Sequence, residues 1–200
     1  SRESAGLTRG LINAVLRSVG IAEIGDIESI EPEHTSVSGS VGCKTPRVDV
    51  KVVSAGRTVD LEAQTYDDNV NNRVLLYASK LLGEAAGAGV EYGDLPQVIV
   101  IVLLDSKALI SQSEEYVHTG RMHWEVGGGK GGYAGGSDRM LFVLVELEKF
   151  RKRYTALGGD VLDDEMLAWM YLLTKGFESK EEIMELAEKF HTMEEFADLY

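Results

Sequence analysis

The sequence predicts an α/β protein: a mixed β-sheet flanked by helices, with a C-terminal helical extension from about residue 156. Three stretches lead to this class. Residues 47–64 hold two alternating runs around Ser54-Ala55-Gly56-Arg57, the pattern of a β-hairpin. From Val70 onward apolar residues recur at helical spacing. Gln97–Leu104 is a continuous apolar run of strand length, which suits a strand buried on both faces.

Taken in order, residues 5–18 read as an amphipathic helix with Leu7, Leu11, Ile12 and Val15 on one face. Ile24, Ile27 and Ile30 alternate loosely within Ile21–Glu33, a candidate first strand. Thr35–Pro46 is rich in Ser, Gly and Thr and reads as a loop, with His34 a surface residue beside it. In the hairpin, a turn centred on Ala55-Gly56 makes paired positions sum to 111. Asp49 then opposes Glu62, Lys51 opposes Asp60 and Arg47 opposes Gln64, all on one face. Val48, Val50, Val52, Val59, Leu61 and Ala63 form the other, apolar face.

Tyr66-Asp67-Asp68-Asn69 signals a helix start with Asp68 as N-cap, and the helix runs to Gly87 or Gly89. Arg73 and Tyr77, four apart, share one side of it. Asp105 closes the apolar strand as a turn residue. A second hairpin is expected from Tyr116–Val126 and Arg139–Leu147, with Gly127–Gly136 as its flexible tip. The glycine run lacks the spacing of a phosphate-binding loop. His118 and His123, five apart on a strand, face opposite ways, which argues against a shared metal. Asp163–Gly176 is a helix, and Ser179-x-x-Glu182 and Thr192-x-x-Glu195 are capping boxes for two more. The expected division is a core of residues 1–155 and an extension of residues 156–200.

Composition narrows the function. The single cysteine, Cys43, excludes an intrachain disulfide and a cysteine-based zinc site and fits a reducing, cytoplasmic setting. No segment reads as a membrane span or a signal peptide. The net charge of −13 weighs against nucleic-acid binding, since phosphate contacts need Lys and Arg. The excess is uneven: residues 156–200 hold 12 acids and 3 bases, residues 1–155 hold 21 and 17. Lys149, Arg151, Lys152 and Arg153 form the one basic cluster, either a solvated helix face or a DNA-backbone contact.

Like charges directly opposed across a hairpin are destabilising, so Asp49 and Glu62 need a cation between them. Lys51, Arg47 or a divalent metal with oxygen ligands could supply it. The alternative is a solvated polar face with a chance acidic pair. The lack of an aromatic sugar platform and crowding between adjacent strands argue against a third reading, a glycosidase pair.

Val48-Asp49-Val50-Lys51, Leu61-Glu62-Ala63-Gln64 and Arg73-x-x-x-Tyr77 together resemble the PD-(D/E)XK nuclease superfamily, in particular its transposase-like branch of recombination-promoting nucleases. Leu11–Leu16, Gly89–Ile99 and Val145–Phe150 are similar to further family segments in the same order. The resemblance implies a restriction-endonuclease-like fold and a Mg²⁺- or Mn²⁺-dependent endonuclease acting on DNA. Within it Asp49, Glu62 and the backbone carbonyl of Ala63 would bind the metal, Gln64 would orient water, and Arg73 and Tyr77 would support the site. Gln64 stands where the superfamily usually has lysine, and Pro46 lies three residues before Asp49 instead of adjacent to it. Relatives also carry an acidic residue in an earlier helical segment, for which Glu3 is a poor match. These departures leave a second reading, a nuclease-fold binding protein with weak or no activity. A homo-oligomer is compatible with either.

Overall fold

The computed structural model describes residues 2–32, 50–65, 69–106, 112–127, 131–156, 164–175 and 180–193. Asp49, Arg47, Val48, His34, Cys43 and Asp68 therefore lie outside the described residues, as does the whole of the expected Thr35–Pro46 loop. The chain divides into two compact units: residues 28–146, and residues 1–27 together with 147–200. That division groups the first helix with the C-terminal helices, whereas the sequence reading cuts the chain between residues 155 and 156.

Residues 28–146 build a six-stranded mixed sheet in the order β1-β2-β3-β4-β6-β5. Its strands are β1 (Ser29–Pro32), β2 (Val50–Ser54), β3 (Arg57–Gln64), β4 (Gln97–Leu104), β5 (Val117–Glu125) and β6 (Tyr133–Glu146). With helices between and after the strands, this is the expected α/β class and matches a restriction-endonuclease-like arrangement. Among the described pairs β2 and β3 follow the predicted register, from Val50↔Leu61 through Lys51↔Asp60 to Ser54↔Arg57. The turn residues Ala55 (φ 46°) and Gly56 (φ 76°) both adopt the left-handed conformation of a two-residue hairpin turn whose twist matches the strands. The Ala55 N–H also donates to Glu28 Oε1 at 2.8 Å.

β4 is parallel to β3 on one side and to β6 on the other. Val98 through Leu104 are all buried, as the continuous apolar run requires of a strand without an exposed face. Helix α2 (Val70–Ala85) packs Val70, Ala78 and Leu81 onto Val98, Val100, Val102 and Leu104, covering one face of the sheet. It begins after Asn69, in the left-handed conformation and without a side-chain cap, and it stops at Ala85 before the expected glycines. Asp105 follows the last residue of β4, and its N–H donates to Gln64 O at 2.7 Å.

The second hairpin departs from expectation. β6 starts at Tyr133, so the last four residues of the glycine run are strand. Gly136 lies so close to β5 that a Cβ there would sit 2.3 Å from Met122 O. Irregularities between Arg121 and Met122 and between His123 and Glu125 bend the pair where the run needs small residues.

In the other unit, α1 (Arg2–Ser18) buries Leu11, Ile12, Ala14, Val15 and Leu16. Buried Asn13 holds the following loop twice, donating to Ile24 O at 3.1 Å and accepting from Ile24 N–H at 2.8 Å. Arg17 forks onto both oxygens of Glu23 at 3.0 Å and reaches Glu165. Helices α3 (Leu147–Ala156), α4 (Glu165–Lys175) and α5 (Lys180–Lys189) follow. Asp164 caps α4 through the Leu167 N–H at 3.1 Å. The Thr192 hydroxyl donates to Glu165 and accepts from Trp169 Nε1 at 3.4 Å, while Glu195 and the helix expected after Thr192 lie outside the described residues.

Two stability predictions follow from these contacts. Ala55→Gly should raise the urea midpoint by the equivalent of roughly 0.5–1 kcal/mol, because relief of a left-handed Cβ exceeds the added chain entropy of glycine. The Arg17 hydrogen bond holds the Glu23 carboxyl below its usual range. Its contribution to stability is therefore complete above the ordinary carboxylate pKa and is lost as pH falls through the folded value. Glu23→Gln should be less stable than the parent at neutral pH by at most about 1 kcal/mol, with the two curves merging towards about pH 2 in urea titrations.

Candidate active site

The sheet's registered pairs make rows of residues that share a face. One row reads Glu62, Val102, Leu144, His118, and the next reads Gln64, Leu104, Glu146. Because α2 packs on Val102 and Leu104, these rows belong to the face beneath α2. The opposite face carries Val59, Leu61, Ile99, Ile101, Val143 and Val145, all buried and apolar.

The polar side of β3 is not a solvated face. Glu62 is 4% exposed, Asp60 is 2% exposed, and Thr58 is buried with them. β3 lies between two strands, and a strand inside a sheet beneath a helix buries alternate residues whatever their polarity. Buried carboxylates need hydrogen bonds or cations to offset desolvation. For Glu62 one donor is Gln64, whose Nε2 lies 3.1 Å from Oε2. The two side chains expected to share a face therefore touch. Lys51 opposes Asp60 as expected, but its ammonium lies 3.6 Å from both Glu31 and Glu84. It ties the edge of the sheet to α2.

Ala63 pairs with Leu103 and is half-buried. Arg73 and Tyr77 are both half-buried and pair with each other: an Arg73 guanidinium nitrogen donates to Tyr77 Oη at 3.2 Å, with the cation 5.8 Å from the ring centre. The basic cluster falls on α3, in the helical unit. Lys149 is only 6% exposed, so packing removes it from the phosphate contacts expected of the cluster. Arg151 and Lys152 lie 3.6 and 3.9 Å from Glu148, and Arg153 is exposed.

A pairing that sequence reasoning missed lies at the end of β6. Glu146 is 2% exposed, and His118 Nε2 approaches its Oε2 at 2.8 Å. His123 instead meets Glu125 at 3.3 Å and the Tyr133 ring. The available signal was a glutamate ending the apolar run Leu141–Val145, on the same strand face as Phe142 and Leu144.

The donors proposed for a metal are all oxygen: the Glu62 carboxylate, the Ala63 carbonyl and Asp49. This set fits a hard divalent cation such as Mg²⁺ or Mn²⁺. Among the described residues no three His, Cys, Asp or Glu side chains gather as a metal site, so the set depends on Asp49. No described helix is long and apolar enough to cross a membrane.

A mixed sheet with a parallel centre, and with buried carboxylates beneath its first crossover helix, is a restriction-endonuclease-like α/β arrangement. The chain matches the model of the PD-(D/E)XK nuclease family transposases over residues 2–199, and it belongs to that family. The family supports a nuclease-like function and implies DNA as substrate. Neither a curated protein nor a solved structure gives a significant match.

The Gln64–Glu62 contact makes a direct prediction. Gln64→Leu removes a donor from a buried carboxylate and should lower stability by about 1–3 kcal/mol in urea unfolding. Gln64→Lys keeps a donor and should stay near the parent.

Proposed function

We propose that the protein is a metal-dependent DNA endonuclease of the transposase-associated, recombination-promoting type. The observation that carries this reading is a buried Glu62 held by Gln64 at 3.1 Å in the Glu-x-Gln arrangement of β3. Asp49 and Glu62, with the Ala63 carbonyl, would hold Mg²⁺ or Mn²⁺. When bound, the ion polarises the scissile phosphate and lowers the pKa of the attacking water.

The chain's own groups prepare that step. The Gln64 amide fixes the Glu62 carboxylate through Oε2, which limits the rotamers a ligand would otherwise lose on binding. With Nε2 so engaged, its carbonyl oxygen is the acceptor that can orient a water, although an amide is not a base near neutral pH. Arg73, steadied by Tyr77, supplies a half-buried cation on α2 for a phosphate or carboxylate. Arg151, Lys152 and Arg153 are the proposed backbone contacts, without Lys149. The core of residues 1–155 and the extension of residues 156–200 remain our proposed functional division, and cytoplasmic DNA its setting.

One observation favours a second reading, a nuclease-fold protein that binds without cutting. Gln64 brings no positive charge to a face that buries Asp60 and Glu62.

Incubation with supercoiled plasmid and Mn²⁺ separates the two. Nicked or linear product is expected from the parent, with none from Asp49→Ala or Glu62→Ala, both remaining folded. Gln64→Ala should lower the rate about 10²-fold or more through loss of a positioning group. A parent that shows neither product nor any metal-induced thermal shift would leave the binding reading standing.

A further inference from the structure

The same sheet face opens into a cavity of about 370 Å³ beside the first two turns of α2. This lies at the lower end of the roughly 300–1,000 Å³ typical of small-molecule sites. Val74, Leu75, Phe142 and Leu144 give it apolar walls, and Asn71 and His118 give it polar groups.

Two features mark it as a built site. The first is the buried Glu146, which accepts from His118 Nε2 at 2.8 Å and so fixes the imidazole plane. Nδ1 is then the ring atom left to meet a ligand. The second is Gly120, which sits between His118 and Met122 on β5 and pairs with Phe142. Its φ is not in the left-handed region, so the backbone does not demand glycine there. A Cβ would instead lie 3.3 Å from the Phe142 ring, in the space beside the cavity wall. The missing side chain keeps the wall open.

Flat apolar walls with an amide and an imidazole at the edge suit a planar heteroaromatic ring that has both donors and acceptors on its rim. The location says where such a ring comes from. His118 lies in the same row as Glu62, three strands away, which is about 14 Å at the usual strand spacing. A nucleic-acid strand rises roughly 3.4 Å per stacked nucleotide, so it covers that span in about four nucleotides, and in fewer once a base is extruded. We propose that the cavity between α2 and strands β4, β6 and β5 receives one unpaired nucleobase of the DNA held at Glu62. This rests on the nuclease reading. Phe142 offers the stacking surface, and His118, positioned by Glu146, reads the base edge together with Asn71. A pocket of this kind favours mismatched or single-stranded positions, where extrusion costs least.

The test compares binding of two DNA duplexes with Ca²⁺ as the divalent ion, one carrying a single unpaired adenine and one an abasic site at that position. The parent should bind the first roughly fivefold to a hundredfold tighter, the range of one base stacked on an aromatic side chain. Gly120→Leu fills the cavity and should abolish the preference while binding the abasic duplex like the parent. His118→Gln should weaken the preference, and it decides the matter if Gly120→Leu does not fold. Equal parental affinity for the two duplexes, or an undiminished preference in His118→Gln, overturns the base pocket and leaves the nuclease reading intact. Saturable binding of adenosine monophosphate without a duplex preference also overturns it, assigning the cavity to a free nucleotide. A parent that binds neither duplex overturns both.

Discussion

The parallel pairing of β4 on both edges is the constraint on which the sheet unit depends. A strand so placed has no solvent side, so both of its faces must be covered and every residue from Val98 to Leu104 is apolar and buried. In-register parallel neighbours then extend each β4 residue into a row across the sheet. On one face the middle of these rows, Val59, Leu61, Ile99, Ile101, Leu141, Val143 and Val145, is aliphatic, with Arg57 and Gln97 at its end. The other, beneath α2, interrupts an aliphatic middle with Asp60 and Glu62 on one side and Glu146 with His118 on the other. Among the described residues of the sheet, the buried carboxylates share one face because a carboxylate can be buried only where donors reach it, as Gln64 and His118 do.

Much of this was legible in the residues. Alternation about Ala55-Gly56 sets the hairpin register, because a one-residue slip would turn Val52, Val59 and Leu61 away from the core. The run Gln97–Leu104 defines β4 to the residue. What alternation does not carry is depth. It separates the side chains of β3 into two faces but cannot say that α2 covers the polar one, so Asp60 and Glu62 read as surface candidates until the helix is placed. Lys149 misled for the same reason: a charge cluster along the chain is not a cluster in space, and one turn of α3 divides a buried lysine from exposed neighbours. The His118–Glu146 pair spans 28 positions, beyond any local spacing rule. Glycine usually marks turns, so the glycine run reads as a tip, whereas close strand approach at Gly136 accounts for part of it.

In the helical unit the negative charge of residues 156–200 is partly structural. Glu165 takes the Arg17 guanidinium and the Thr192 hydroxyl, linking α1, α4 and the turn at His191–Met193 through one carboxylate. Acidic composition is thus a weaker sign against a polyanionic partner than its total suggests, since some of the acids are already committed to holding helices together.

Gln64 has a consequence beyond its bond to Glu62. Lysine at this position would carry a proton that leaves at high pH, and its loss would change the charge of the site. An amide has no such proton across the range in which proteins stay folded. The position therefore adds no alkaline limb to any pH–rate profile. It also keeps the same hydrogen-bond polarity towards Glu62 from acid to base, acting as a fixed dipole where many relatives of this sheet would have a titrating charge.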